Sequence, residues 1–214
     1  KLKNLKMMKK LFTIIFLFVV LFTQAQWNNI NDPVLDGGWL SNITEYNGNL
    51  YIASNGGVFK STNGGLNWSN SMEGYNSHVT YCDAIASHST GLYALSSNGL
   101  RYSLDGNEWV EYYGIGFPTE YEINELSVAN DILYVVLYDE TGGGNYLYYS
   151  NDGDNWTQGY EFPTWNIEIL DFNDTAQFFQ IDTLLQWTTD GVTMHDIDLT
   201  SQNIEDNDYE YFFT

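Results

Sequence analysis

The sequence predicts an all-β chain folded as a β-propeller of four-stranded antiparallel blades. Three observations lead there: strand-forming composition between turns, a scarcity of helix signals, and internal similarity with a period of about 40 residues. The short runs between turns are dominated by Tyr, Thr, Val, Ile and Trp, and 19 glycines punctuate them. Aromatic residues make up 17% of the chain, which excludes a disordered polypeptide in spite of its charge.

Residues 1–25 read as a secretory signal, with Lys1, Lys3, Lys6, Lys9 and Lys10 preceding an apolar run over residues 11–22 and Thr23-Gln24-Ala25 as a small-residue cleavage site. As a helix such a run spans about 18 Å, short of the roughly 20 residues that a bilayer core requires. The expected mature chain is therefore residues 26–214, secreted or displayed at the cell surface. Trp27-Asn28-Asn29 then reads as the outermost strand of a blade whose three inner strands do not precede it.

The first full repeat runs Leu50-Tyr51-Ile52-Ala53-Ser54, a turn at Gly56-Gly57, Val58-Phe59-Lys60, and Ser61-Thr62-Asn63-Gly64-Gly65-Leu66-Asn67-Trp68. The second has Leu92-Tyr93-Ala94-Leu95-Ser96, Gly99-Leu100-Arg101-Tyr102 and Ser103-Leu104-Asp105-Gly106-Asn107-Glu108-Trp109. The third passes from Leu133-Tyr134 through Leu147-Tyr148-Tyr149 to Ser150-Asn151-Asp152-Gly153-Asp154-Asn155-Trp156. A degenerate fourth has Gln177-Phe178-Phe179, Leu184-Leu185-Gln186-Trp187 and Thr188-Thr189-Asp190-Gly191-Val192-Thr193-Met194. In copies one, two and four the hydroxyl residue opening the last segment stands 11 positions after the residue opening the preceding strand; in copy three it stands 17 after. The six extra residues of copy three form a loop around 139–145, with Gly142-Gly143-Gly144. Past Met194 the chain offers an outer strand near 195–199, an acidic turn through Glu205-Asp206-Asn207-Asp208, and one further strand at 209–214. This accounting predicts an open arc of four recognisable blades, cut short at the C-terminal side.

The recurring segment resembles the motif of the Asp-box (BNR-type) propellers, Ser/Thr-x-Asp-x-Gly-x-x-Trp or the shorter Ser/Thr-x-Asp-Gly-x-x-Trp. Ser103, Asp105, Gly106 and Trp109 fit the short form, as do Ser150, Asp152, Gly153 and Trp156. Ser61, Gly65 and Trp68 fit the long form with Asn63 in place of Asp, and Thr188, Asp190 and Gly191 are followed by Met194 instead of Trp. The chemistry of such a box is structural. Its Asp and Ser side chains bond nearby amides in a turn, its Gly supplies positive φ, and its Trp buries a large ring whose N–H is available to a carbonyl. The resemblance implies that the boxes join the third and fourth strands of each blade.

Strand alternation then places the turns between strands two and three, and the crossings between blades, on the opposite face. That face receives Trp39, Tyr75, Tyr113, Phe117, Tyr121, Phe162 and Trp165, together with Asp139 and Glu140 of the insertion. Two readings fit: a surface on which rings stack against sugars, or rings that pack the loops onto the blades. Counting back from each box to the upper end of the innermost strand gives Ser41, Asp83, Asn124 and Glu168, with Glu122 and Glu125 beside the third. Asp83, Glu125 and Glu168 are thus candidates for the paired carboxylates of a glycosidase or for oxygen ligands of Ca²⁺, and solvated strand ends are the bland alternative. No motif specifies a metal or another cofactor.

Five of the seven basic residues lie within residues 1–25, so the mature part keeps Lys60 and Arg101 against 28 acidic residues. Such a surface repels nucleic acid and anionic membranes, because both are bound through Lys and Arg. The single cysteine, Cys82, has no intrachain disulfide partner and lies in an apolar strand. The Asp-box resemblance spans sialidase-like, sortilin-like and photosystem-assembly-factor-like propellers and xyloglucan-degrading glycosidases, so it does not select an activity. A sialidase requires an arginine cluster, and Arg101 alone is present after residue 25. The expectation is a non-catalytic propeller that binds a glycan, peptide or protein, with a two-carboxylate glycosidase as the alternative.

Overall fold

The structure, a computed structural model, describes residues 39–75, 81–96, 99–112, 114–118, 122–139, 144–164, 166–170 and 175–197. The expected signal segment, the strand expected at Trp27 and the strand expected at 209–214 lie outside the described residues. Four antiparallel sheets follow one another as a four-bladed propeller, each sheet running in chain order from its innermost to its outermost strand. Blade 1 consists of β1 (Leu40–Tyr46), β2 (Asn49–Ser54), β3 (Gly57–Ser61) and β4 (Ser69–Asn70). Blade 2 has β5 (Cys82–His88), β6 (Gly91–Ser96), β7 (Gly99–Ser103) and β8 (Val110–Glu111). Blade 3 has β9 (Glu122–Ala129), β10 (Ile132–Tyr138), β11 (Asn145–Ser150) and β12 (Thr157–Phe162), and blade 4 has β13 (Ile167–Leu170), β14 (Gln177–Ile181), β15 (Leu184–Thr188) and β16 (His195–Asp196).

The repeat spacing is a pairing register. Leu50 faces Ser61, Leu92 faces Ser103, Leu133 faces Ser150 and Gln177 faces Thr188, so the spacing of 11, or 17 with the insertion, is the length of one hairpin. The second strands of blades 2 and 3 are sandwiched between neighbouring blades on both faces, which explains why Gly91–Ser96 is buried at every position and reads as a nearly continuous apolar run. The two-residue turn Asn47-Gly48 between β1 and β2 has φ of 51° and 75°, the primed geometry that matches strand twist.

Three seams hold the blades together. Between blades 1 and 2, Tyr51, Ala53 and Val58 meet Leu92, Ala94 and Trp109; between blades 2 and 3, Tyr93, Leu95 and Leu100 meet Leu133, Val135 and Trp156. Between blades 3 and 4, Tyr134, Val136 and Leu147 meet Phe179 and Ile181. The tyrosines of the first two Leu-Tyr pairs reach under the next blade's box. Tyr51 Oη donates to Asp105 O at 3.3 Å, and a Cβ at Gly106 would stand 2.2 Å from that oxygen. At Gly153 a Cβ would stand 2.0 Å from Tyr93 Oη. The chain leaving each of the first two boxes also pairs with the following one: Trp109 N donates to Glu73 O and Trp156 N donates to Ile115 O, both at 2.8 Å. Near the axis, Asn42 of β1 brackets Ile85 of β5, its Nδ2 donating to Ile85 O at 2.8 Å and its Oδ1 accepting from Ile85 N at 2.9 Å.

Candidate functional site

The box carboxylates are spent on their own turns. Asp105 Oδ1 accepts from the amides of Asn107 and Glu108 at 2.8 and 3.2 Å, while Ser103 Oγ accepts from Gly106 N at 2.8 Å. Bonding from Asn107, first through its amide and then through its side chain, with Glu108 adding to it, holds the Asp105 carboxyl down at about 2. The amides of Thr193 and Val192 bring Asp190 to about 2 as well, and Asn155 and Asp154 lower Asp152 in the same way. In the first box the neutral Asn63 accepts from Asn67 N at 2.9 Å, and Ser61 Oγ accepts from Gly65 N at 2.9 Å. The indole N–H reaches a carbonyl only in the long box, where Trp68 Nε1 donates to Gly65 O at 3.1 Å. In the boxes one residue shorter, the N–H groups of Trp109 and Trp156 are buried without a partner, which corrects the expectation from sequence.

The aromatic residues expected on one ligand face divide differently in space. Trp39 is 82% exposed just ahead of β1. Tyr75 lies against Trp109 with ring centroids 5.8 Å apart, and Phe117 meets Trp156 edge-on at 5.0 Å, so each seals a seam by covering the next blade's box tryptophan. Phe162 is buried in the third seam, 5.4 Å from the Phe179 ring. Tyr75 and Phe117 thus pack connecting segments, and Phe162 the end of β12, onto the next blade, because contact with a neighbouring indole or phenyl removes apolar ring surface from water. Asp139 is buried at the base of the insertion, where its amide donates to Gly144 O at 3.0 Å. Tyr113, Tyr121, Glu140 and Trp165 lie outside the described residues.

The inner-strand positions found by counting share a backbone feature. Ser41, Asp83 and Asn124 each occupy a bulge in β1, β5 and β9, whereas Glu168 of β13 sits in regular register opposite Gln180. Glu125, opposite Val136, is half-buried; burial first, and then the negative charges of Glu168 and Asp83, push its carboxyl up to about 7. Burial also raises Asp83. Carboxylates from blades 2, 3 and 4 therefore share one electrostatic environment.

A cleft of about 510 Å³ opens along the inner strands of blades 1, 2 and 3. It is lined by residues 42–45 of β1, residues 85–87 of β5, Ser127 and Val128 of β9, and Asn130 and Asp131 of the following turn. These are the C-terminal halves of the inner strands, the end of the propeller that carries the boxes. Side-chain amides and hydroxyls from Asn42, Thr44, Ser87, Ser127 and Asn130 alternate there with aliphatic groups, and the size is that of an ordinary small-ligand pocket. Nothing in the sequence marked this cleft, because its walls come from strands about 40 residues apart whose side chains meet only once the blades are rotated about a common axis.

Arg101, the sole arginine, is not available to such a site. It is buried beside Tyr75, with its guanidinium carbon 5.3 Å from that ring, and Nη2 donates to Glu111 Oε1 at 3.2 Å. Among the described residues no group of three or more His, Cys, Asp and Glu side chains is disposed to hold a metal ion, and no helix is long and apolar enough to cross a membrane.

Two solved structures resemble the chain at 16% identity. One, YCF48 bound to D1 peptide, aligns with a TM-score of 0.47 over 82% of this chain and 57% of that one. The other, an extracellular domain assigned to a one component system, BT4673, from B. thetaiotaomicron, aligns with a TM-score of 0.40 over 78% of this chain and 28% of that one. The chain thus spans less than two thirds of either. No curated protein sequence matches it. Over residues 17–120 the sequence matches the family described as the DUF6242 beta propeller domain, in keeping with the blades seen in the structure.

Proposed function

We propose that the chain is a non-catalytic ligand-binding propeller, secreted or held at the cell surface, which takes a glycan, peptide or protein segment into the cleft between its inner strands. The observation that carries this reading is the cleft itself: about 510 Å³, walled by three blades, and bordered by hydrogen-bonding side chains with no nucleophile–base pair among its lining residues. The signal-like residues 1–25 support the location. The test is a plug. Thr44→Trp on the cleft wall should abolish binding of whatever glycan or peptide an array identifies, with the melting temperature within about 2 °C of the parent. Undiminished binding by a folded Thr44→Trp protein would move the site elsewhere.

A second reading has its own observation. A carboxyl pushed up to about 7 beside two other carboxyls is the arrangement by which a glycosidase separates its acid from its base, and Glu125, flanked by Glu168 and Asp83, has that character. Polysaccharide hydrolysis that disappears in Glu125→Gln would replace the binding reading with this one.

A further inference from the structure

The chemistry of the cleft wall selects among the ligand classes, and this step rests on the cleft being the binding site. We propose that the cleft accepts the side chain of a basic residue, an aliphatic stem ending in a cation, as presented by a lysine- or arginine-bearing peptide. Three features of the lining lead there.

No aromatic ring lines the cleft, so the face-on stacking that secures a pyranose is not on offer. Its apolar wall is aliphatic, from exposed Ile43 and half-buried Val128 over the buried Ile85, and Ile43 stands 57% exposed on an inner strand. A methylene stem laid along Ile43 removes apolar surface from water on both partners without demanding a ring-shaped partner.

Both ionisable groups of the lining are acids, Glu45 and Asp131. Asp131 is held as a carboxylate: burial opposes its charge, but hydrogen bonds from Ser89 and the proximity of His88 outweigh that and lower its pKa. Glu45 is exposed. No cation of the described part is free to neutralise it. Lys60 Nζ donates to Asn107 Oδ1 at 2.9 Å and lies over the Tyr51 ring, and Arg101 is buried on Glu111. The cleft therefore presents aliphatic surface together with two carboxylates, exposed Glu45 and Asp131, the latter 3.6 Å from the buried His88 Nε2, a lining complementary to a stem and its terminal charge. A bare metal ion would leave the aliphatic wall in water, and a carboxylate-bearing ligand would be repelled.

The experiment uses the full chain and fluorescently labelled, end-blocked glycine pentapeptides with a central lysine, arginine, acetyl-lysine, alanine or glutamate, read by polarisation. Lysine and arginine peptides should bind, and acetylation of the lysine should weaken binding by about tenfold or more. Glu45→Gln should weaken it about fivefold and reduce its salt dependence, and Ile43→Ser should weaken it about tenfold. Both substituted residues are exposed, so an unchanged melting temperature verifies folding; Glu161→Gln, exposed on β12 and away from the cleft, should leave lysine-peptide binding unaltered. Equal affinities of the lysine, acetyl-lysine and alanine peptides would overturn the proposal. So would lysine binding that ignores Glu45→Gln and Ile43→Ser, which would assign it to the acidic surface at large. The two levels fail separately: a neutral glycan whose binding is lost in Thr44→Trp keeps the cleft and refutes the basic ligand, whereas lysine-peptide binding unaffected by Thr44→Trp refutes the cleft.

Discussion

Substituting Gly153 by alanine tests whether the boxes are joints between blades and not merely turns within them. Gly153 has φ of 76°, and a Cβ there would stand 2.0 Å from Tyr93 Oη and 3.0 Å from Thr90 Oγ1. Tyr93 has little room to retreat, being 1% exposed with its ring centroid 5.2 and 5.4 Å from those of Tyr102 and Tyr112. Two penalties add. The left-handed backbone costs a residue with a Cβ about 1–2 kcal/mol, and forcing a methyl into a filled seam costs about 1–3 kcal/mol more. For a chain of this size about 1 kcal/mol lowers the melting temperature by about 2–4 °C, so Gly153→Ala should lower it by roughly 4–20 °C. Gly64 is the control. It has φ of 69° in the first box with nothing within 4 Å of its ideal Cβ, so Gly64→Ala incurs only the backbone penalty, roughly 2–8 °C. The assay is calorimetry on both variants, on Tyr93→Phe, and on the double mutant. Removing the hydroxyl clears the closest contact, so Tyr93→Phe should relieve Gly153→Ala with a coupling of about 1 kcal/mol or more. If Gly153→Ala is no worse than Gly64→Ala, or the coupling is zero, the box glycine does not seat the preceding blade's tyrosine.

Two further outcomes are expected. An unfolded Glu125 loses its proton near its ordinary value of 4.5 and the folded one near 7, so its contribution to stability falls as pH rises between those values and is most unfavourable above pH 7. Glu125→Gln should therefore stabilise the protein at pH 8, by at most about 3 kcal/mol, and leave it unchanged at pH 4, as read from urea unfolding at the two values; a pH-independent effect would show that burial and the neighbouring carboxylates do not raise this carboxyl. Asn42→Ala removes both bonds to Ile85 and should cost about 2–3 kcal/mol while speeding amide exchange at Ile85 in particular; unchanged protection there would show that the bracket does not tie β1 to β5.

What the sequence determined by itself is the blade and its local chemistry. The spacing from Leu50 to Ser61 and its equivalents encodes a hairpin register, the Ser-x-Asp-Gly run encodes a turn that bonds itself, and counting back from the boxes reaches the bulges at Ser41, Asp83 and Asn124. These features depend on backbone geometry over a dozen or two residues, and repetition makes such geometry visible. The tertiary structure decided everything that depends on how one blade is rotated against the next. Tyr75 and Phe117 in connecting segments and Phe162 at the end of β12 stand where an aromatic ring suits a ligand surface or a seam equally well, and only the position of Trp109, Trp156 and Phe179 on the neighbouring blade turns them inward. The Asn42–Ile85 bracket joins residues 43 apart, and the Ser127–Gln177 hydrogen bond residues 50 apart. The cleft is likewise a consequence of three inner strands converging on an axis. A strand's period assigns each side chain to a face of its own sheet, but whether that face meets water, a carboxylate or an indole is set by the packing of large side chains between sheets, which no single repeat contains.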